Sequence, residues 1–291
     1  MTAAGAAALA VLLAGAQARA QGVDDSDLSV GRGPRPKVAL EGRLEGRTLA
    51  FPLTGAGPAG QGAAPPGSVS GTFLLPDRQG GLQPARQASA ALVGPDGKAG
   101  RTIPVSADGS WALPIDAALS GTFRVRLTLG GALWSFEDPG TRAGYAWDSP
   151  GFTLPSPEPV RLGALSPAPG SENAKVGLIH LTYLETLDAF ERHGVGRGWW
   201  DRTLTVYWPD GSDYFSSWGF ELHLTAPEAW DVNLHELGHA LMHASMRAAG
   251  AGGPDMIDYC YVPAMAWSEG WATFFAAAVH LEPSDPDARF E

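Results

Sequence analysis

The stretch DVNLHELGHALMH, residues 231–243, governs how the rest of the chain is read. Leu234, Leu237 and Leu241, flanked by Trp230 and Ala244, form one apolar stripe with the period of an amphipathic helix. Thr225 and Glu228 make the T-x-x-E pattern of a capping box, so the spacing predicts a helix from near Ala226 to near Gly250. His235 and His239 then stand one turn apart, about 6 Å along the axis. Both imidazoles can reach one tetrahedral metal ion, for which Zn–N of about 2.0–2.1 Å is usual. Glu236 is too short to chelate beside them but can contact a water activated by the metal. Zinc brings the pKa of such a water toward about 7, and the carboxylate can take its proton as the water attacks a carbonyl.

Such a centre requires a third protein ligand. A metzincin would carry Gly at 242 and His at 245, where Met242 and Ser245 stand, so that subclass is excluded. Downstream, AWSEGWATFFAAAVH (266–280) reads as a second apolar helix with Glu269 in its first turn. HELGH followed by WSEGWATFF resembles the gluzincin zinc metallopeptidases, the thermolysin and aminopeptidase N group, over roughly residues 200–280. The resemblance implies His235, His239 and Glu269 as zinc ligands and Glu236 as general base. It also implies that the strand GFELHL (219–224) lines the cleft edge and pairs with an extended substrate. Asp255, Asp258 and Glu282 are other candidates for the third ligand. The family's oxyanion donor is a Tyr or His, for which Tyr259, Tyr261 and His280 are candidates. Thr273, four residues after Glu269, could orient a ligand histidine through its hydroxyl. His243 continues the four-residue series, but its turn drifts off the metal. Cys260 reads as a buried thiol.

Outward from this motif the chain changes character. MTAAGAAALAVLLAGAQARA (1–20) has a short apolar stretch followed by Ala-Arg-Ala, the shape of a secretory signal peptide without its basic start. Residues 21–36 read as a linker. From 37 to 165, short apolar runs alternate with turn chemistry. Phe123, Val125, Leu127 and Leu129 interleave with Arg124, Arg126 and Thr128, GTFLL (71–75) is another strand, and Gly55–Gly67 is a loop. The turns Gly94-Pro95-Asp96-Gly97 and Ser106-Ala107-Asp108-Gly109 punctuate them. These spacings predict a β-sandwich-like module. After Pro167, Ser171 can cap a helix bearing Val176, Ile179, Tyr183, Leu187 and Phe190 and ending at Gly194. LTVYW (204–208), a Pro-Asp-Gly turn and GFELHL then read as a hairpin. The expected fold class is α+β: the sandwich-like module, then a zincin-like domain over 170–291 with an HExxH helix and a Glu-ligand helix.

Composition narrows the function. Of 20 Lys+Arg and 31 Asp+Glu, residues 171–291 hold 6 and 18, an acidic balance that repels phosphate backbones and excludes a nucleic-acid partner. One cysteine excludes a disulfide framework, and no apolar run beyond the N-terminus is long enough for an integral membrane segment. The expectation is a secreted or cell-envelope zinc (Zn2+) peptidase acting on a peptide or protein substrate. The alternatives are a non-catalytic envelope binding protein with a structural or degenerate zinc site, and a zinc hydrolase of non-peptide bonds.

Overall fold

In the computed structural model the described residues are 40–55, 67–156, 158–246 and 262–281. The proposed leader and linker, the loop residues 56–66, and Asp255, Asp258, Tyr259, Cys260, Tyr261 and Glu282 lie outside them. The chain divides into two compact units, Val38–Leu181 and a second containing Thr182–Glu291, the division falling inside a helix.

Among the described residues the first unit carries thirteen strands: β1 (Arg43–Glu45), β2 (Thr48–Pro52), β3 (Thr54–Gly55), β4 (Ser68–Pro76), β5 (Leu82–Pro84), β6 (Ala88–Val93), β7 (Ala99–Pro104), β8 (Ser110–Pro114), β9 (Gly121–Leu129), β10 (Trp134–Glu137), β11 (Gly144–Asp148), β12 (Phe152–Leu154) and β13 (Val160–Ser166). One sheet centres on the antiparallel neighbours β7-β6-β9-β11, with β2 parallel to β11. The other runs β3-β13-β4-β5 with β8 also on β4, and its β4–β13 pair is parallel. Phe51 packs on Trp147, its partner in the β2–β11 register, and Trp147 in turn meets Phe73 of β4, so the two sheets share an aromatic core. The period of two in β9 buries Phe123, Val125, Leu127 and Leu129. Arg126 departs from that alternation and is buried too. Its guanidinium grips Asp148 with two bonds of 2.8 Å and also reaches Glu45, which offsets part of the cost of desolvating the charge.

Helix α1 (Glu172–His193) follows. The Ser171 hydroxyl donates back to the Ala168 carbonyl (2.6 Å) instead of capping the helix amides. Gly194, at φ +66°, ends the helix in a Schellman motif: Gly194 N donates to Glu191 O and Val195 N to Phe190 O.

The second unit contains β14 (Leu204–Tyr207), β15 (Tyr214–Ser216), β16 (Glu221–His223), α2 (Trp230–Met246) and α3 (Pro263–His280). β14 and β16 are parallel, so the expected hairpin between 204–208 and 219–224 does not form; β15 is the antiparallel partner of β16. Asp213 accounts for the later start of α2. Its carboxylate accepts from Thr225 N (2.6 Å) and Thr225 Oγ1 (2.7 Å), so the hydroxyl expected in a capping box is spent on the turn before β15. α3 starts earlier than expected, with Pro263 in its first turn, where a missing N–H costs nothing.

These findings correct the expected α+β class and its zincin-like domain. Strands take 36% of the described residues and helices 27%, only three helices occur among them, and the sheets are mixed. The reason is the alternating, turn-punctuated stretch before residue 167, which supplies thirteen of the sixteen strands among the described residues, while helical periodicity is confined to three segments.

His180, wholly buried in the first unit, gives a test of that core. Trp134 Nε1 donates to its Nδ1 (3.0 Å), and its Nε2 donates to the Arg86 carbonyl (2.7 Å). Burial, aided by the Arg86 charge and opposed by the backbone bond, holds its pKa down to about 4. The neutral ring therefore stabilises the fold fully above about pH 6.5 and ceases to do so as pH falls toward 4, a loss of about 3 kcal/mol. Urea unfolding at pH 7 and 4.5 should show the wild type losing more stability than His180→Gln over that interval.

Candidate metal centre

Leu234, Leu237 and Leu241 bury one face of α2, which fixes the helix rotation and sets His235, Glu236 and His239 on the adjoining face. α3 packs against this face closely because position 238 has no side chain. A Cβ there would lie 3.0 Å from Ala272 Cα and 3.2 Å from the Phe275 ring. Trp271 Nε1 donates to the Gly238 carbonyl (3.0 Å) and pins the two helices at that point. The approach carries Glu269, now in the second turn of α3, to the histidines.

Three ligand atoms converge. Glu269 Oε2 lies 3.0 Å from His235 Nε2 and 3.3 Å from His239 Nε2, and the two Nε2 atoms are 3.1 Å apart. Donors at about 2.0–2.1 Å from one tetrahedral zinc lie about 3.3 Å from each other, so the spacing suits that ion. The chemistry is compatible. A neutral histidine with its proton on Nδ1 presents a lone pair at Nε2, and two such nitrogens with one carboxylate oxygen could hold a cation. Burial would raise the Glu269 pKa, but bonds and charge from His235 and His239 together outweigh it and bring it down to about 2. His235, His239 and Glu269 each keep some solvent exposure, so the cluster opens on one side.

Glu236 is buried beside them. Burial pushes its carboxyl upward, the His239 and His235 charges oppose this, and the Asp213 and Glu269 carboxylates add to it.

The remaining residues separate clearly. Thr273 Oγ1 lies 3.3 Å from His235 Nδ1, and Ser268 Oγ lies 3.2 Å from His239 Nδ1. Ser268 went unnoticed in the sequence; its only signal is its place beside Glu269. His243 turns away against Phe215 and Phe220. His280 is eleven residues beyond Glu269, about 16 Å along the helix, where it bonds Glu185 (2.5 Å) and stacks on Trp230. The candidates Tyr259 and Tyr261 fall outside the described residues. GFELHL is not an edge: β16 has β14 on one side and β15 on the other, and β15 ends the strand order. On β16, His223 bonds Asp210 (2.6 Å) and stacks on Tyr214, a pairing with no signal in sequence spacing.

Compared with known proteins, the chain matches no family model, no curated protein and no solved structure. The grouping of these side chains must therefore be judged on its own chemistry. No helix among the described residues is long and apolar enough to cross a membrane.

Gly238→Val should test the close approach. The added Cβ meets the α3 backbone at Ala272, which cannot retreat as a side-chain tip would. A fall in stability of about 1–3 kcal/mol is expected by thermal unfolding, together with weaker zinc retention on dialysis. Unchanged zinc retention would show that helix separation does not control the cluster.

Proposed function

We propose that this chain is a zinc-dependent peptidase with a gluzincin-type ligand set, exported to the cell envelope or medium by its first twenty residues. The observation that carries the reading is the convergence of His235, His239 and Glu269, with a buried Glu236 between the two histidines in sequence. Among the described residues three protein donors meet, rather than the four of a closed structural site, a set that leaves a coordination position for chemistry and favours an enzyme over a binding protein.

His235, His239 and Glu269 would hold the metal. Bound zinc would supply Lewis acidity, acidifying water toward a pKa of about 7 and polarising the substrate carbonyl. Glu236 accepts the proton of the attacking water on its carboxylate and delivers it to the departing amide nitrogen, so one group serves as base and then acid. Its burial keeps bulk water from competing for that proton. Glu269, held as an anion between two imidazoles, keeps both rings turned toward the same point. Among the described residues β15 ends the strand order in this unit and packs on α2, which makes it the natural place for an extended peptide to add as a further strand.

Glu236→Gln tests the mechanism. The variant should keep about one zinc per chain by elemental analysis while peptide-library cleavage falls about 10²–10⁴-fold in kcat/KM. Cleavage at the wild-type rate would refute the role given to Glu236.

A further inference from the structure

Two hydroxyls sit behind the metal-facing cluster, one on each histidine, and both come from α3. Ser268 precedes Glu269 and Thr273 follows it by one turn, so one stretch of helix supplies the carboxylate and a partner for each ring. A hydroxyl inside a helix ordinarily bonds the carbonyl four residues back, as Ser245 does to Leu241 O (2.7 Å). Ser268 and Thr273 instead lie within hydrogen-bond distance of Nδ1 on His239 and His235. Their settings differ. Ser268 is 2% exposed, in a place where a hydroxyl needs a partner, whereas Thr273 is exposed and meets water.

We infer that Ser268 and Thr273 are positioning residues: each hydroxyl accepts the Nδ1–H of its histidine and thereby holds the Nε2 lone pair on the metal. This rests on the zinc reading above and adds what sets the strength of the site. A hydroxyl accepts this proton without carrying charge, so it orients the imidazole but raises its basicity less than a carboxylate does. Zinc is therefore held in the correct geometry at submaximal affinity, and the two supports are unequal. The buried Ser268 contact, free from competing water, carries more of the orientation than the exposed Thr273 contact. Because ligand and supports share one helix, any displacement of α3 loosens all three together.

The test measures zinc dissociation constants on the full chain by competition with a chromogenic chelator, with thermal unfolding of the metal-free protein alongside. Ser268→Ala should weaken zinc about 100-fold and Thr273→Val about 10-fold, within the range for such outer partners. Ser268→Thr and Thr273→Ser, which keep the hydroxyl, should restore most of the affinity. Thr273→Asp should tighten binding about 10-fold. Metal-free Tm should be unchanged in all of them, and long-range 1H–15N spectra of the zinc form should place the proton on Nδ1 of both rings. Unchanged dissociation constants in both hydroxyl-less variants would overturn the inference while leaving the zinc reading intact. So would losses that follow a lowered metal-free Tm and are not rescued by the conservative swaps, since these would mark a structural role. A folded wild type that takes up no zinc would remove the zinc reading itself, and with it the role given to the hydroxyls.

Discussion

Everything proposed for this protein depends on how closely α3 approaches α2 at Gly238. The contact leaves 3.0 Å between a notional Cβ at 238 and the Ala272 backbone, and the Trp271 indole bonds the Gly238 carbonyl in the same turn. Leu237 and Leu241 on one helix, with Ala272, Phe275 and Ala276 on the other, exclude water and supply the burial that holds the contact. Glycine in mid-helix costs up to about 1 kcal/mol relative to alanine. The helix accepts that cost because only an absent side chain lets Glu269 come within 3.3 Å of both histidines.

From that approach the electrostatics follow. A carboxylate and two imidazoles facing one point form a group that could hold a divalent cation. Glu236 lies on the buried side, where desolvation works against its charge and the neighbouring histidines work for it. A group balanced in this way can take a proton and give it up again. Ser268 and Thr273 complete the arrangement from behind, so each histidine is held at both nitrogens.

How much of this was legible in the sequence varied with the range of the interaction. His235, Glu236 and His239 could be placed because four-residue spacing on a helix is a local fact, and the apolar stripe of α2 stated its rotation. Glu269 came from the resemblance of WSEGWATFF, and the structure brings it to the histidines although α3 begins earlier than its apolar run suggested. Thr273 was legible through its position one turn beyond Glu269, but Ser268 was not, because its partner His239 lies 29 residues away on another helix. The class of the fold was misjudged. Parallel pairing such as β14 with β16 leaves no mark in local periodicity, and Thr225 was read as a cap because its partner Asp213 is twelve residues upstream. The burial of Arg126 is not legible for the same reason, its partners Glu45 and Asp148 being set by register and not by neighbouring sequence.

The central claim is that two histidines and a glutamate of this chain form a zinc site. Zinc K-edge X-ray absorption on the purified full-length protein tests it most directly. The account predicts about one zinc per chain, first-shell nitrogen and oxygen donors at about 2.0–2.1 Å, and the outer-shell scattering of two imidazoles. A folded protein that retains no zinc when it is supplied, or a zinc ion whose first shell contains sulfur at about 2.3 Å, would contradict it.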